Sequence, residues 1–291
     1  MTTAIIPPGE RRIPLLRRRN VQALIWFTIA VILLIPTLFP AVWIVLSSLK
    51  TSAETHTFPP RFIGSEISLE AYRAVFGRGN FLHYMFNALI VALATTALGV
   101  LVAAWSGYGF ARYDFPGKGL ALGFIIAAQS FPRVLLIIPY FQAMTALKLT
   151  DTYVALILAY STFIQPLCLW MLKSYIEQVP RELDEAALLD GCSHYGVFWR
   201  VIVPTIRPAL GATAMLAFLT AWNEYEFALV LTSTERVRTI SVAVAYFLGE
   251  FTTEWNNIMA ASAIATIPVI ILFFFFQKQL VSGLMSGALK G

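Results

Sequence analysis

Charge is what this 291-residue chain has least of. Asp, Glu, Lys and Arg make up 13% of it, about half the share in an ordinary soluble domain, while 58% is hydrophobic and the mean hydropathy is +0.72. Such a composition belongs to a membrane protein. Cysteine is scarce too: Cys168 falls in an apolar run and Cys192 in a polar stretch, so no disulfide framework or cysteine metal cluster follows. His56, His83 and His194 stand far apart without metal-ligand spacing, and each reads as a surface residue. No Gly-x-x-x-x-Gly-Lys-[Ser/Thr] loop is present to cradle a nucleotide phosphate. Nor is there a Ser/His/Asp triad, a paired-carboxylate arrangement or an aromatic-interleaved basic patch for nucleic acid. No catalytic residue, metal ligand or resident cofactor is therefore expected, and any energy source must lie elsewhere.

What the sequence has in plenty is apolar length. A spanning helix needs about 20 apolar residues, because only bonds within the segment satisfy its backbone in lipid. Charge-poor stretches cover 20–49, 79–111, 119–147 (interrupted by Arg133), 152–172, 208–234 and 255–277. The expected fold is all-α and polytopic, with six transmembrane helices and both termini on one side. Basic residues choose that side. Arg11, Arg12, Arg17, Arg18 and Arg19 precede the first span, Arg112 and Lys118 flank the second connection, and Lys173, Arg181, Arg200 and Arg207 lie on the fourth. These ends are cytoplasmic, and the net charge of +5 is explained by orientation and anionic headgroups. The N-terminal basic cluster resembles a signal peptide, but the apolar run is long and no Ala-x-Ala precedes Lys50, so it reads as a retained helix. The expected organisation is a basic segment over 1–20, a membrane domain over 21–280 with a cytoplasmic loop at 174–207, and a cytoplasmic tail over 281–291.

Three polar features break the apolar pattern. The external stretch 50–78 opens with the turn-rich Phe58-Pro59-Pro60. It continues into a short helix capped by Ser68, with Glu70 in its first turn and Leu69, Tyr72 and Phe76 on one face. Gly119 and Gly123 form a small-xxx-small pair that allows close helix approach. The third feature is "EAALLDGCSHYGVFWRVIVP" at 185–204. Val179-Pro180-Arg181 followed by Glu182, Asp184 and Glu185 marks a helix start, since proline fits the first turn and carboxylates favour the positive end of the dipole. Gly191 turns the chain, and Ser193 caps a second helix running to about Val203.

Inside the membrane, Arg133 lies midway between Lys118 and Lys148, where a charge costs at least ~2.5–3.5 kcal/mol. It must face protein or water. Pro132 and Pro139 flank it and predict a kinked or broken helix. Two roles stand open for it: an internal ion pair with Glu224 or Glu226, or contact with a solute. The stretch "AWNEYEF" also has two readings. Trp222 and Tyr225 can stack on a pyranose while Asn223 and Glu224 take its hydroxyls, or the segment is an interfacial aromatic belt.

The spacing at 185–204 resembles the signature loop of inner-membrane permease subunits of ATP-binding-cassette importers: Glu-Ala-Ala, three residues, Gly, nine residues, Ile, one residue, Leu-Pro. Glu185, Ala186, Ala187, Gly191, Val201, Val203 and Pro204 occupy those places, with valine in place of Ile and Leu. "FPGK" at 115–118, "AWNEYEFAL" at 221–229 and "LVSGLMSGALKG" at 280–291 extend the likeness to the smaller partner in carbohydrate-uptake permeases of the maltose type. The resemblance implies a multi-pass protein of the bacterial inner membrane, with the loop helix seated in a groove on a cytosolic ATPase that binds ATP and Mg. It implies as partners an ATPase dimer, a second homologous permease, an external solute-binding protein and a sugar, and a tail that reaches the ATPase. Two other classes fit less well. A secondary transporter would use Arg133, Glu224 and Glu226 as an ion relay, against the cytoplasmic motif and the six spans. A membrane enzyme acting on lipid-linked sugar would want clustered carboxylates or histidines.

Overall fold

The computed structural model describes residues 15–77, 80–248 and 253–288, with side chains from 21 to 280 within them. Among the described residues the regular elements are helices, apart from one isolated bridge between Leu248 and Thr253. α1 (Leu15–Ser48) leads to α2 (Ser52–Thr55) and α3 (Glu70–Gly77), and α4 (Phe81–Arg112) is the next long apolar helix. α5 (Lys118–Gln129) and α6 (Ile137–Ala146) follow, joined through a 3-10 turn at Arg133–Leu136, and α7 (Tyr153–Gln178) crosses next. The polar interlude holds α8 (Arg181–Leu189), α9 (His194–Val197) and α10 (Val203–Thr205), with a π-helical stretch at Phe198–Ile202. α11 (Arg207–Trp222), α12 (Glu226–Leu231), α13 (Ile240–Ala245) and α14 (Trp255–Ala288) complete the order.

Among the described residues four helices are long and apolar enough to cross a membrane, and six spans result when each of two bent pairs counts as one. The α5/α6 pair bends by 99°, and Pro132, which ends the turn Ser130–Phe131, is the cause expected from sequence. The stretch 208–234, expected as one span, is divided instead. α11 has 16 residues, about 24 Å at 1.5 Å per residue, short of the roughly 30 Å hydrocarbon layer. It stops at Trp222, and α12 resumes only after Asn223–Tyr225. On the other side of α11 the elbow 194–205 meets it at 79°.

The core is built on α4 and α7, which pack along much of their lengths, with α11 against both. Small residues allow this: Ala88, Ala92, Ala103, Ala155 and Ala159 are all buried. Gly107 shows how close the approach is, since a Cβ there would lie 3.1 Å from the backbone nitrogen of Lys173. Gly119 and Gly123 have nothing within 4 Å inside the chain, so the close contact they permit is not made here.

The structure adds detail to the segment before α4 and to the helix ends. In α3 the buried residues are Ala71 and Val75; Leu69 and Phe76 are exposed, and Tyr72 meets Ser48 through a 2.8 Å hydroxyl contact. Packing against α14 selects the smaller face of this helix. α7 stays helical to Gln178, beyond the boundary at 174, and α14 stays helical to Ala288, through most of the tail. The tail's contacts and the arginines at 11 and 12 lie outside the described residues.

Candidate functional site

Two places on the bundle carry polar groups that its packing does not require: the elbow between α7 and α11, and a cavity at the two helix breaks. The elbow begins at Pro180, in extended conformation, and α8 starts at Arg181 with Glu182 and Asp184 in its first turn. α8 ends where Gly191 takes φ +87°, with the amide of Gly191 donating to Leu188 O and that of Cys192 to Ala187 O, both at 3.0 Å. Ser193 then caps α9, its Oγ accepting from the amide of Gly196 at 3.2 Å.

α8 has two faces. Ala187 and Asp184 are buried, whereas Leu183, Glu185, Ala186, Leu188 and Leu189 face outward, with Leu189 89% exposed. Of the motif positions, Ala187 therefore faces the bundle and Glu185, Ala186 and Gly191 are exposed. Val201 and Val203 are half-buried and Pro204 is exposed. The buried side holds a contact that sequence reasoning assigned only to charge balance. Arg112 Nε donates to Asp184 Oδ2 at 2.7 Å, and its Nη2 donates to Asp184 Oδ1 at 3.4 Å and to Val179 O at 2.9 Å. The two side chains are 6% and 11% exposed, and removing one partner of so buried a pair costs roughly 3–5 kcal/mol. No spacing rule reveals this pair, because its members are 72 residues apart.

The cavity measures about 850 Å³ and opens between the two broken spans. Arg133 and Pro132 line it from the first break, Asn223, Glu224, Tyr225 and Glu226 from the second, and Tyr160 and Phe163 from α7. The structure thus gathers Arg133, Asn223, Glu224 and Tyr225 and leaves out Trp222, which is 5% exposed and stacked on Phe218 at 5.6 Å. Trp222 lines a separate cavity of about 360 Å³ with Asn223. Arg133 makes no ion pair with Glu224 or Glu226; its guanidinium lies over the Phe163 ring at 5.5 Å. Glu224 is occupied otherwise, accepting from the amides of Phe227 at 2.8 Å and Ala228 at 3.1 Å at the start of α12.

The C-terminal end of α12 is fixed by a residue the sequence did not single out. Asp151, in the α6–α7 turn at φ +58°, accepts from the amides of Ser233 and Thr234 at 3.0 Å and from Thr234 Oγ1 at 2.6 Å. Its own amide donates to Leu231 O at 2.8 Å. Burial acts to raise its pKa, but these hydrogen bonds and Arg236 outweigh burial and hold it below the usual carboxylate value. Asn87 adds a second tie, donating from Nδ2 to Arg236 O and Arg238 O at 3.0 and 2.9 Å.

Residues 95–286 match the family described as the binding-protein-dependent transport system inner membrane component. The sulfoquinovosyl glycerol transport system permease protein SmoH of Agrobacterium fabrum is 40% identical over 265 residues, covering 91% of this chain and 93% of its own. The trehalose/maltose transport system permease protein MalG of Thermococcus litoralis is 37% identical, covering 90% and 95%. A crystal structure of a bacterial ABC transporter that imports alginate superposes with a TM-score of 0.74 at 20% identity, over 94% of this chain and 99% of that one, so the two share a fold. With its bent spans and its polar elbow in place, the chain belongs to the family of binding-protein-dependent transport inner membrane components.

Proposed function

We propose that this chain is the membrane-spanning permease subunit of an ATP-driven importer for a di- or oligosaccharide or a sugar derivative. Half of the translocation path is its own, and its elbow seats on a cytosolic ATPase. The two-faced α8 carries this reading. Leu183, Ala186, Leu188 and Leu189 are exposed, with Glu182 and Glu185 among them, on an element whose other side is fastened to the bundle, the form a lever needs. The partners of this reading are an ATPase dimer, a second homologous permease and an external binding protein, and both termini are cytoplasmic. Arg133, Asn223, Glu224 and Tyr225 line the path, with Trp222 behind them as packing. The sugar class is supported by relatives whose names specify sulfoquinovosyl glycerol and trehalose/maltose transport.

The test is reconstitution of the assembled complex with its binding protein in liposomes, with trehalose, maltose and sulfoquinovosyl glycerol as probes. Uptake of at least one is expected to require ATP and to stop with vanadate. Uptake that persists without ATP and collapses with a protonophore would establish an ion-coupled carrier instead. Gly191→Asp is expected to insert normally, hydrolyse ATP in the complex and import nothing.

A further inference from the structure

The elbow is joined covalently to α7 at one end and α11 at the other, yet its side-chain fastenings go to α4. Arg112, the last residue of α4, holds Asp184 and the carbonyl of Val179, and in return Arg181 Nη2 donates to Ala111 O at 3.4 Å. Each helix end is thus held by an arginine from the other. A second fastening lies deeper along the same helix. The Trp105 ring stacks on Phe198 at 4.3 Å and meets Tyr195 at 5.3 Å, while Tyr108 meets Phe198 at 5.4 Å. Trp105, Tyr108 and Arg112 follow one another at intervals of three and four and so share one face of α4.

We propose that α4 is the helix through which movement of the elbow enters the bundle, with Asp184 and Arg112 as the positioning residues that transmit it. The inference rests on the importer reading above. Asp184 and Glu185 are neighbours with opposite duties: Glu185 faces outward toward the partner, and Asp184 faces inward to α4. A forked, buried ion pair fixes direction as well as distance, so it carries push and pull alike. Stacked rings alone can slide. From α4 the path continues through α7, which α4 approaches at Gly107 and which contributes Tyr160 and Phe163 to the cavity, and through α11, which ends beside it.

The experiment uses the full complex with a cysteine-free version of this chain (Cys168→Ala, Cys192→Ser) and two spin-label pairs. Glu182→Cys with Arg207→Cys reports the elbow, and Val134→Cys with Leu229→Cys reports the cavity. Distances are compared without nucleotide and after trapping with MgATP and vanadate. With Asp184 and Arg112 intact, both pairs are expected to shift. With Asp184→Asn the elbow pair still shifts, and the fraction of complexes in which the cavity pair follows falls roughly 5-fold or more, the lower range for coupled sites. Asp184→Glu, which keeps a carboxylate, restores part of the response; an effect of fold damage alone would not follow charge in this way. Should Asp184→Asn insert poorly, Arg112→Lys answers the same question, because lysine keeps the charge but lacks the fork that spans Asp184 and Val179. The inference is overturned if the cavity pair follows the elbow fully in these variants, or if the elbow pair itself stops moving. An elbow that ignores nucleotide in the unaltered complex overturns the importer reading instead.

Discussion

Gly191 ends α8 with φ +87°, a conformation that costs an ordinary L-residue about 1–2 kcal/mol. A Cβ there meets nothing within 4 Å, so any defect on substitution comes from backbone strain or from the new group's chemistry, without a clash. Gly191→Asn, whose side chain tolerates the left-handed region, is expected to retain most ATP-driven uptake, and Gly191→Val to lose most of it while reaching the membrane in normal amount. Equal loss in both would show that the angle of the turn is not what matters. In the segment between α1 and α4, Glu54 acts as a loop tie. Its carboxylate accepts from Ser65 Oγ at 2.6 Å and from the Ser65 amide at 2.7 Å, and these bonds lower its pKa from 4.5 to about 2. The folded loop therefore binds this proton more weakly than the opened loop does. The tie is fully present above pH 4.5 and is lost as pH falls toward about 2. The protection of the amides in 52–65, taken relative to intrinsic exchange at each pH, is expected to fall across that window, and Glu54→Gln to show little protection at any pH.

Among the elements, α12 depends most on its surroundings. Six residues are too few to hold a helix in isolation, and both its ends are secured from outside: Glu224 at the start and Asp151 beyond the finish. Asp151→Ala would leave the exposed amides of Ser233 and Thr234 to water, at the net cost of an ordinary hydrogen bond, about 0.5–1.5 kcal/mol each. Faster hydrogen exchange confined to 226–236 is the expected result, with the α4 and α7 cores unchanged; spread of the effect through the whole bundle would contradict a local role. The same element shows what the sequence can and cannot reveal. Proline at 132 announces the break in the third span because proline acts through its own covalent geometry. The break after Trp222 carries no such mark in "AWNEYEF", since Glu224 caps α12 only once the chain has already turned. The elbow was legible through Pro180, Gly191 and Ser193, whose effects reach only a few residues. Asp151 and the Arg112–Asp184 pair were not, because their partners lie 82 and 72 residues away and only packing brings them together. Arg133 illustrates the converse: charge at that depth required protein or water around it and left the neighbour open, which is the Phe163 ring instead of a carboxylate.

At the scale of the whole molecule, the bundle is open on one side. α1 lies along α14, and no residue of its most apolar stretch is buried within the chain. The α5 residues Leu120 and Phe124, 83% and 76% exposed, are likewise uncovered. These surfaces suit lipid or a second membrane subunit. For inward rocking to be driven by a cytosolic motor, the elbow and the external loop must lie on opposite faces of the membrane. The proposed function puts the elbow inside, the side that the basic residues Lys173, Arg181, Arg200 and Arg207 predict. In the cysteine-free background, Leu189→Cys on the elbow and His56→Cys on the loop, both at exposed positions, give a direct reading. A membrane-impermeant maleimide added to intact spheroplasts is expected to label His56→Cys and to spare Leu189→Cys until the membrane is permeabilised. Labelling in the reverse order would put the lever on the side that holds no ATP. The bundle's architecture would stand under that result, and the drive proposed for it would not.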